Sequence, residues 1–260
     1  MSSSRSLMRG SRPRTGRCSV SSRFAAAWRT APPTSGRRGR QPFRLAAGRV
    51  PGMPTTFQEA APLFRSAVVA EADMGVFDGA LFERVLADGL GERPMIRRGS
   101  LGLTVTREVV ESWGVSPGEV WAQARSGSLW AELCEITHFS SPEGVPYHAI
   151  RGGRWTSTHV LGIERHLSKP VANGALVAVP GRDEVLFHQI EDEEFVDVTL
   201  AMMAHAVDSY LSAPLPVSCD LFWWDAGQLH RIATPAEGRY RYIRVRGFAE
   251  MMMRLESKAG

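Results

Sequence analysis

Four histidines and a cysteine are the first residues of this chain whose types and spacing suggest chemistry. His138, His148, His159 and His166 lie in one stretch that also contains Cys134. Imidazole is a common metal ligand and the usual acid–base group near neutral pH. However, these spacings match neither two histidines on one helical face nor a zinc-finger pattern. The sequence therefore predicts hydrogen-bonding or surface histidines, with no metal site and no cofactor.

Three further histidines are judged from their positions in the predicted elements. His205 lies nine residues past Val196 in a predicted helix, about half a turn from its apolar stripe, so we expect it to face solvent. His188 and His230 fall in two predicted strands. They would come together only if those strands were neighbours in the sheet.

Arg182 and Asp183 are the next candidates, because they follow Pro180-Gly181 at a turn between two apolar runs. Aspartate favours turns, since its side chain can hydrogen-bond to nearby backbone. Arginine can bind an acid or an anionic ligand. We predict a structural role first, and we name Arg182 and Asp183 as the polar pair of the sheet best placed to bind a ligand.

Trp223 and Trp224 are adjacent in a predicted strand, where neighbouring side chains point to opposite faces. One is expected to fill the core and the other to be exposed as an anchor for a partner. In GRYRYIRVR, residues 238–246, arginines alternate with tyrosines, and Arg241 and Arg244 are predicted to bind a partner. Such a strip resembles surfaces that bind single-stranded nucleic acid. Alternation alone also gives an edge strand an arginine-rich outer face, and these arginines could instead pair with the acids of residues 191–194.

The motifs of common enzyme machinery are absent from the sequence. It contains no phosphate-binding loop ending in Gly-Lys-Ser/Thr, no Gly-x-Ser-x-Gly elbow, no His-Glu-x-x-His and no dinucleotide glycine motif after a strand. The pattern therefore favours a non-enzymatic interpretation.

The elements that position these residues predict an α+β fold, with a mainly antiparallel sheet built from hairpins and helices packed on it. Residues 174–246 read as β-β-α-β-β-β. The hairpins turn at residues 180–183 and 225–227, the helix starts with the acids of residues 191–194 and runs to about Ser212, and a further helix covers residues 248–255.

The preceding part of the chain is predicted to be more helical. Residues 57–70 and 77–88 have helical spacing, and residues 95–105 read as one or two strands. TREVVESWGVSPGEVWAQA, residues 106–124, predicts two short helices meeting at Gly114, the second with a capping box. The mixed region 129–170 predicts two strands and a short helix over residues 156–168.

Charge divides the chain into a leader and a single α+β domain. Residues 1–52 contain twelve arginines but neither lysine nor acid, whereas the whole chain has 31 Lys+Arg and 27 Asp+Glu, so residues 53–260 carry a net charge of −8. The Arg/Ser/Pro-rich leader cannot bury enough apolar surface to fold, and we expect it to be disordered. It resembles a transit peptide or a basic arm, and our preferred interpretation is an untranslated extension upstream of Met53.

The succession GALVAVPGRDEVLFHQI, a helix and DLFWWDAGQLHRI resembles the C-terminal half of the YtpQ-like family of uncharacterised bacterial proteins, and WGVSPGEVWAQA resembles its middle section. The resemblance covers residues 95–235. It implies a single α+β domain in the bacterial cytoplasm, and it brings no agreed activity and no catalytic residues to carry over.

These observations predict a cytoplasmic binding or regulatory domain that engages a protein partner through an exposed aromatic and arginine face. One alternative is a small hydrolase or transferase using His and Asp/Arg groups of residues 138–188. The other is a nucleic-acid accessory protein, which the negative domain charge disfavours.

Widely spaced cysteines fit a reducing compartment, and no apolar run is long enough for a membrane span. The oligomeric state is left open.

Overall fold

The computed structural model describes residues 51–75, 80–99, 101–131, 133–236 and 239–259. Almost all of the predicted leader, and part of the helix predicted over residues 77–88, lie outside these ranges. The strands are β1 (Phe64–Ala70), β2 (Arg84–Ala87), β3 (Leu90–Arg98), β4 (Leu101–Thr104), β5 (Glu135–Ser140), β6 (Pro146–Arg151), β7 (Ala175–Gly181), β8 (Glu184–Gln189), β9 (Leu221–Asp225), β10 (Gln228–Ala236) and β11 (Arg239–Tyr242). The α-helices are α1 (Phe57–Ala60), α2 (Arg107–Trp113), α3 (Pro117–Ala131), α4 (Phe195–Ser212) and α5 (Arg246–Ala259), and short 3-10 helices cover Ala61–Leu63, Glu71–Asp73 and Thr156–Arg165.

Two antiparallel sheets form the framework, which confirms the predicted α+β class. The larger sheet has seven strands in the order β11-β10-β9-β7-β8-β6-β5. The smaller sheet has the order β1-β3-β2, and β4 also pairs with β3. Because consecutive hairpin strands are mostly neighbours, turn residues and alternating side chains specify much of this order locally.

Both faces of the seven-stranded sheet are covered. Leu176 and Ala178 of β7 share one core cluster with α4 and α5. Val177, the residue between them, lies in a second cluster with Val68 and Leu90 of the smaller sheet. Because successive strand residues alternate in direction, a strand covered on both faces must be apolar at every position, as β7 is.

The predicted order β-β-α-β-β-β of the C-terminal half is confirmed. Its two hairpins turn where the sequence placed them, and α4 ends at Ser212. One detail is wrong, because the acids of residues 191–194 precede α4 rather than forming its first turn. Asp192 accepts a hydrogen bond from the backbone N–H of Glu194, so these residues form a turn that leads into the helix.

The helix predicted over residues 57–70 is wrong over most of its length. Only α1 and one 3-10 turn are helical, and β1 follows at Phe64. Residues 84–87, predicted as the end of a second helix, form β2. The reason is tertiary, because β1 is buried over six of its seven residues, Arg65 and Ser66 included, so it lacks the alternation of apolar and polar residues that marks a half-exposed strand.

The two predicted helices after residue 106 are confirmed together with their caps. Thr106 accepts from the Val109 amide, and Gly114 ends α2 with φ +66°. Before α3, Glu119 accepts hydrogen bonds from both the amide and the hydroxyl of Ser116. The Ser116 hydroxyl in turn accepts from the Glu119 amide, as expected for a capping box.

A buried carboxylate ties the smaller sheet to α3. Glu92 of β3 is fully buried and accepts hydrogen bonds from Arg84 of β2 and Arg125 of α3, with shortest distances of 2.7 and 2.8 Å. It also accepts from the Ser66 hydroxyl of β1 at 2.6 Å. Burial alone would raise the pKa of Glu92, but the hydrogen bonds from Arg125 and Ser66 and the charges of both arginines hold it below its usual value.

Candidate functional site: a histidine cleft

A polar cleft of about 220 Å³ opens where β6 and β8 meet the segments that follow the long 3-10 helix and precede α4. Three imidazoles, those of His148, His166 and His188, line it. Phe187 is buried and its ring centre lies 5.1 Å from that of His148 and 6.0 Å from that of His166. The remaining lining residues are Val145, Pro146, Leu167, Ser168, Gln189, Glu191, Asp192 and Glu194.

The hydrogen bond to Pro146 determines which nitrogen of His188 carries the proton. His188 Nδ1 lies 2.7 Å from the carbonyl oxygen of Pro146, which can only accept, so Nδ1 carries the hydrogen. Burial lowers the pKa of His188 despite this bond and the nearby acids Asp192 and Glu191. A neutral His188 with Nδ1 protonated has a lone pair on Nε2, which makes this nitrogen an acceptor or a base.

The pKa values of the other two imidazoles of the cleft are also lowered, which favours their neutral forms near pH 7. Burial lowers the pKa of His148, and the charges of His138 and His188 lower it further. Burial also lowers the pKa of His166, with Arg165 adding to the effect. Neutral imidazoles beside the carboxylates of Glu191, Asp192 and Glu194 give the cleft a negative charge.

His138 and His148 form a cross-strand pair. The β5–β6 hairpin places them opposite each other, with 2.9 Å between their Nδ1 atoms. One Nδ1 must donate and the other accept, so the pair requires at least one neutral ring. The sequence indicates a loop at SSPEGVP, residues 140–146, between the two predicted strands, and counting outward from that loop would have found the pair.

A second group connects Cys134 to the cleft through His166. Cys134 Sγ lies 3.2 Å from His159 Nε2, and His159 Nδ1 lies 3.1 Å from His166 Nε2. His159 is buried, and burial followed by the charges of His166 and Arg165 lowers its pKa. The four histidines of this stretch are therefore mutual hydrogen-bonding partners in two pairs, a relation that their spacing did not reveal.

The expectation that His205 faces solvent is wrong. Its side chain is only 15% exposed, and its Nε2 lies 3.1 Å from Arg151 and 3.5 Å from Glu184, while its Nδ1 lies 3.2 Å from the Tyr147 hydroxyl. Strand β6 lies below the flank of α4 that carries His205, so this flank is covered as well as the main apolar stripe. Burial alone would raise the pKa of Glu184, but hydrogen bonds from His205, Ser209 and Arg151 lower it to about 2.

His188 and His230 stay apart, because β7 and β9 separate their strands.

Arg182 and Asp183 lie at the predicted turn but have different surroundings. Arg182 extends to the smaller sheet, where it lies 3.9 Å from the sulfur of Met95, and burial lowers its pKa to about 10. Asp183 lines a shallow cleft of about 230 Å³ with Glu184 and Ser209. The turn backbone bonds to three segments, at Gly152, Ser157 and Leu215. These contacts support the structural role that the turn sequence predicts.

The tryptophans depart from their predicted exposure. Trp223 is 5% and Trp224 is 7% exposed, so the expectation that one of them reaches solvent is wrong. Trp223 packs under α5 and donates to the carbonyl of Asn173, whereas Trp224 belongs to the cluster beneath the smaller sheet. The alternation of their directions is as predicted, but each direction leads into a core.

Arg241 and Arg244 are exposed at the β11 end of the larger sheet. Within the described part of the chain neither forms an ion pair, so the alternative pairing with residues 191–194 is not found there.

Among the residues described, no three or more His, Cys, Asp or Glu side chains are grouped so as to hold a metal ion. In the same residues, no helix combines the length and apolar character that a membrane crossing needs.

Comparison of the chain with protein-family models, curated proteins and solved structures finds no match. The resemblance to the YtpQ-like family therefore stays a prediction.

Proposed function

We propose that this protein is a binding domain for a small polar cation, such as an organic ammonium group, held in the histidine cleft. The observation that carries the proposal is the meeting of three imidazoles with three carboxylates in one cleft, where burial lowers the pKa of each imidazole and so favours its neutral form near pH 7. Neutral imidazole nitrogens accept hydrogen bonds from an ammonium group, and the carboxylates supply the opposite charge. The volume, about 220 Å³, is below the roughly 300–1,000 Å³ of sites for drug-sized ligands, so the ligand is compact.

His188 supplies the most defined acceptor. Its Nδ1 hydrogen is committed to the Pro146 carbonyl, and so Nε2 is the nitrogen that remains for a ligand. Asp192 and Glu191 lie near the same ring and contribute to its electrostatic environment. The resulting arrangement recognises a hydrogen-bond donor that also carries positive charge.

Titration of the full chain with propylammonium, monitored by the imidazole signals in NMR spectra, tests the proposal. Propionate at the same ionic strength is the comparison ligand of similar size and opposite charge. We expect saturable binding of propylammonium that shifts the His188 signals, and no saturable binding of propionate. Acidification below pH 6.5 should weaken binding, because protonated imidazoles lose their acceptor nitrogens and repel the cation.

Charge-removing variants sharpen the test. Asp192→Asn retains an oxygen for the Glu194 amide, so its main change is the lost charge. We expect about two- to fivefold weaker binding for Asp192→Asn, as for a partly exposed ion pair. His188→Gln should weaken binding, while Glu143→Gln on the exposed β5–β6 loop should leave it unchanged. Equal binding of propionate, or binding that strengthens in acid, would overturn the proposal, and saturable binding of Zn²⁺ alone would replace it with a metal site.

A second candidate function is recognition of an acidic protein segment by β11, which keeps the arginine part of the predicted partner-binding face. The observation that favours it is the terminal position of β11 in the sheet, with Arg239, Arg241 and Arg244 exposed. An extended peptide can add to such an edge through backbone hydrogen bonds. Fluorescence anisotropy with a glutamate-rich peptide should show binding that Arg241→Glu weakens and that Arg254→Glu, on exposed α5 surface, does not. Equal effects of both variants, or preferred binding of single-stranded nucleic acid, would reject this candidate.

A further inference from the structure

Cys134, His159 and His166 form a hydrogen-bonded series whose geometry is that of an activated nucleophile. The thiol lies 3.2 Å from the nearer nitrogen of His159, and the other nitrogen of that ring lies 3.1 Å from His166. A nucleophile, a base within hydrogen-bonding distance and a third group that orients the base are the parts that such chemistry requires. This group touches the cation cleft only through His166, and its role does not depend on the proposed function.

The residue that carries the thiol is partly exposed, whereas the base is enclosed. Cys134 is partly exposed and follows Leu133, whose side chain is 99% exposed, whereas His159 is 8% exposed. The backbone of Gly152 passes directly beside the sulfur, since a Cβ at that position would lie 3.2 Å from Sγ and 2.7 Å from Thr156 Oγ1. The Thr156 hydroxyl lies 3.8 Å from Sγ, where a donor can stabilise negative charge that develops on a reacting carbonyl.

Cys219 provides a contrast within the same molecule. Burial, followed by the charge of Asp220, raises the pKa of the Cys219 thiol to about 11. Among the residues that the structure describes, Cys134 contacts an imidazole, and no contact of Cys219 with an imidazole is found. A thiol is a weak nucleophile until it loses its proton, so a neighbouring base should separate the two cysteines in reactivity.

We propose that Cys134 is a nucleophile that accepts an acyl group from small activated esters, with His159 as its general base and His166 as a positioning residue. Sγ attacks the ester carbonyl carbon, and its proton passes to Nε2 of His159. The S–C bond forms, the C–O bond to the leaving alcohol breaks, and the departing oxygen takes the proton from His159. The products are a Cys134 thioester and a free alcohol, so no oxidant or further reactant is required.

The test uses the full chain with Cys18→Ser, so that Cys134 and Cys219 are its two thiols, and p-nitrophenyl acetate as the probe. Release of p-nitrophenol is followed by absorbance, and acetylation at each cysteine is measured by peptide mass spectrometry on samples quenched over time. We expect Cys134 to be acetylated at least about 100-fold faster than Cys219, within the usual contribution of a general base. Comparable rates at the two cysteines would overturn the proposal without the need for any further variant.

Two histidine variants separate the roles of base and positioning residue. His159→Gln should slow acetylation of Cys134 by about 100-fold, and an unchanged rate in a folded variant would overturn the proposal. If His159→Gln does not fold, His166→Gln is the second variant to measure, because it changes a side chain that is only half-buried. Because His166 and Arg165 both lower the pKa of His159, loss of His166 should move the acidic limb of the rate profile to higher pH. An unmoved limb would refute the positioning role. Failure of propylammonium binding would leave the acetylation result intact, so the two proposals fail separately.

Discussion

Replacement of Glu92 by glutamine should destabilise the fold strongly, because this carboxylate joins three strands and a helix. Glu92 accepts hydrogen bonds from Ser66, Arg84 and Arg125, and its own side chain is fully buried. Glutamine has nearly the same shape, so the main change is the loss of one negative charge and of acceptor capacity. The two arginines then face each other without their shared counter-ion.

The expected magnitude follows from the burial of each partner. Removal of one member of a buried ion pair typically costs about 3–5 kcal/mol, because it leaves a charge uncompensated. Here the side chains of Arg84 and Arg125 are 36% and 38% exposed, so both can regain some contact with water. We therefore expect Glu92→Gln to lower the free energy of unfolding by about 3 kcal/mol, at the lower end of that range.

Urea denaturation monitored by tryptophan fluorescence measures this change, and Glu143→Gln on the exposed loop is the matched control with an expected effect within about 0.5 kcal/mol. A loss below about 1 kcal/mol for Glu92→Gln would refute the reasoning that the network is desolvated. A double-mutant cycle with Arg125→Gln adds a second criterion. Contacting charges should give a coupling energy, and additive effects would contradict the direct interaction.

The pH dependence of the same network provides an independent check. The folded pKa of Glu92 lies below its usual 4.5, so the unfolded state binds more protons between the two values. The stabilising contribution of Glu92 is therefore complete above pH 4.5 and is lost as the pH falls through the folded pKa. The stability difference between the wild type and Glu92→Gln should be constant near neutral pH and shrink in acid.

Two further predictions concern residues whose environments were not foreseen. Trp224→Ala should lower the free energy of unfolding by about 3–5 kcal/mol in urea denaturation, since a large side chain leaves the core between the sheets; a loss near zero would show that this core is not closed. Glu184→Gln should lower it by about 1.5–3 kcal/mol above pH 5, through weaker hydrogen bonds to a charged acceptor. That difference should shrink as the pH falls from 4.5 toward 2, and a difference that grows in acid would contradict the lowered pKa of Glu184.

The parts of the fold that the sequence predicts well are those whose signals are local. The hairpin at residues 180–183 has Pro-Gly at its turn, and α3 begins with a capping box whose hydrogen bonds all form. Helix caps and tight turns depend on a few neighbouring residues, so one chain contains enough information to place them. The β5–β6 pairing of His138 with His148 was not predicted, although its signal is equally local, because the register of a hairpin follows from its loop.

The candidate sites depend instead on long-range packing. Cys134 and His159 are 25 residues apart and meet because the long 3-10 helix packs against the larger sheet. His188 is held by Pro146 across neighbouring strands that are 42 residues apart in the chain. Motif spacing is informative only when a single element presents the residues, as on one helical face, and neither contact is of that kind.

The burial of both tryptophans identifies the sequence signal that was most informative about the second sheet, which is the apolar composition of the central strands. A strand with one solvent face alternates apolar and polar residues, whereas a strand covered on both faces is apolar throughout. Leu221, Phe222, Trp223 and Trp224 are four successive buried residues of β9, and the seven residues of β7 are all buried. Two central strands of this composition require a layer on each side. Helices α4 and α5 cover one side, and the other is covered by the long 3-10 helix together with residues from the region before residue 105. Two amphipathic helices over residues 57–88 were not the only means by which that region could contribute. The segment FRSAVVA forms a buried strand instead, with Arg65 and Ser66 buried beside its apolar residues, and it places Val68 in the core cluster that contains Trp224.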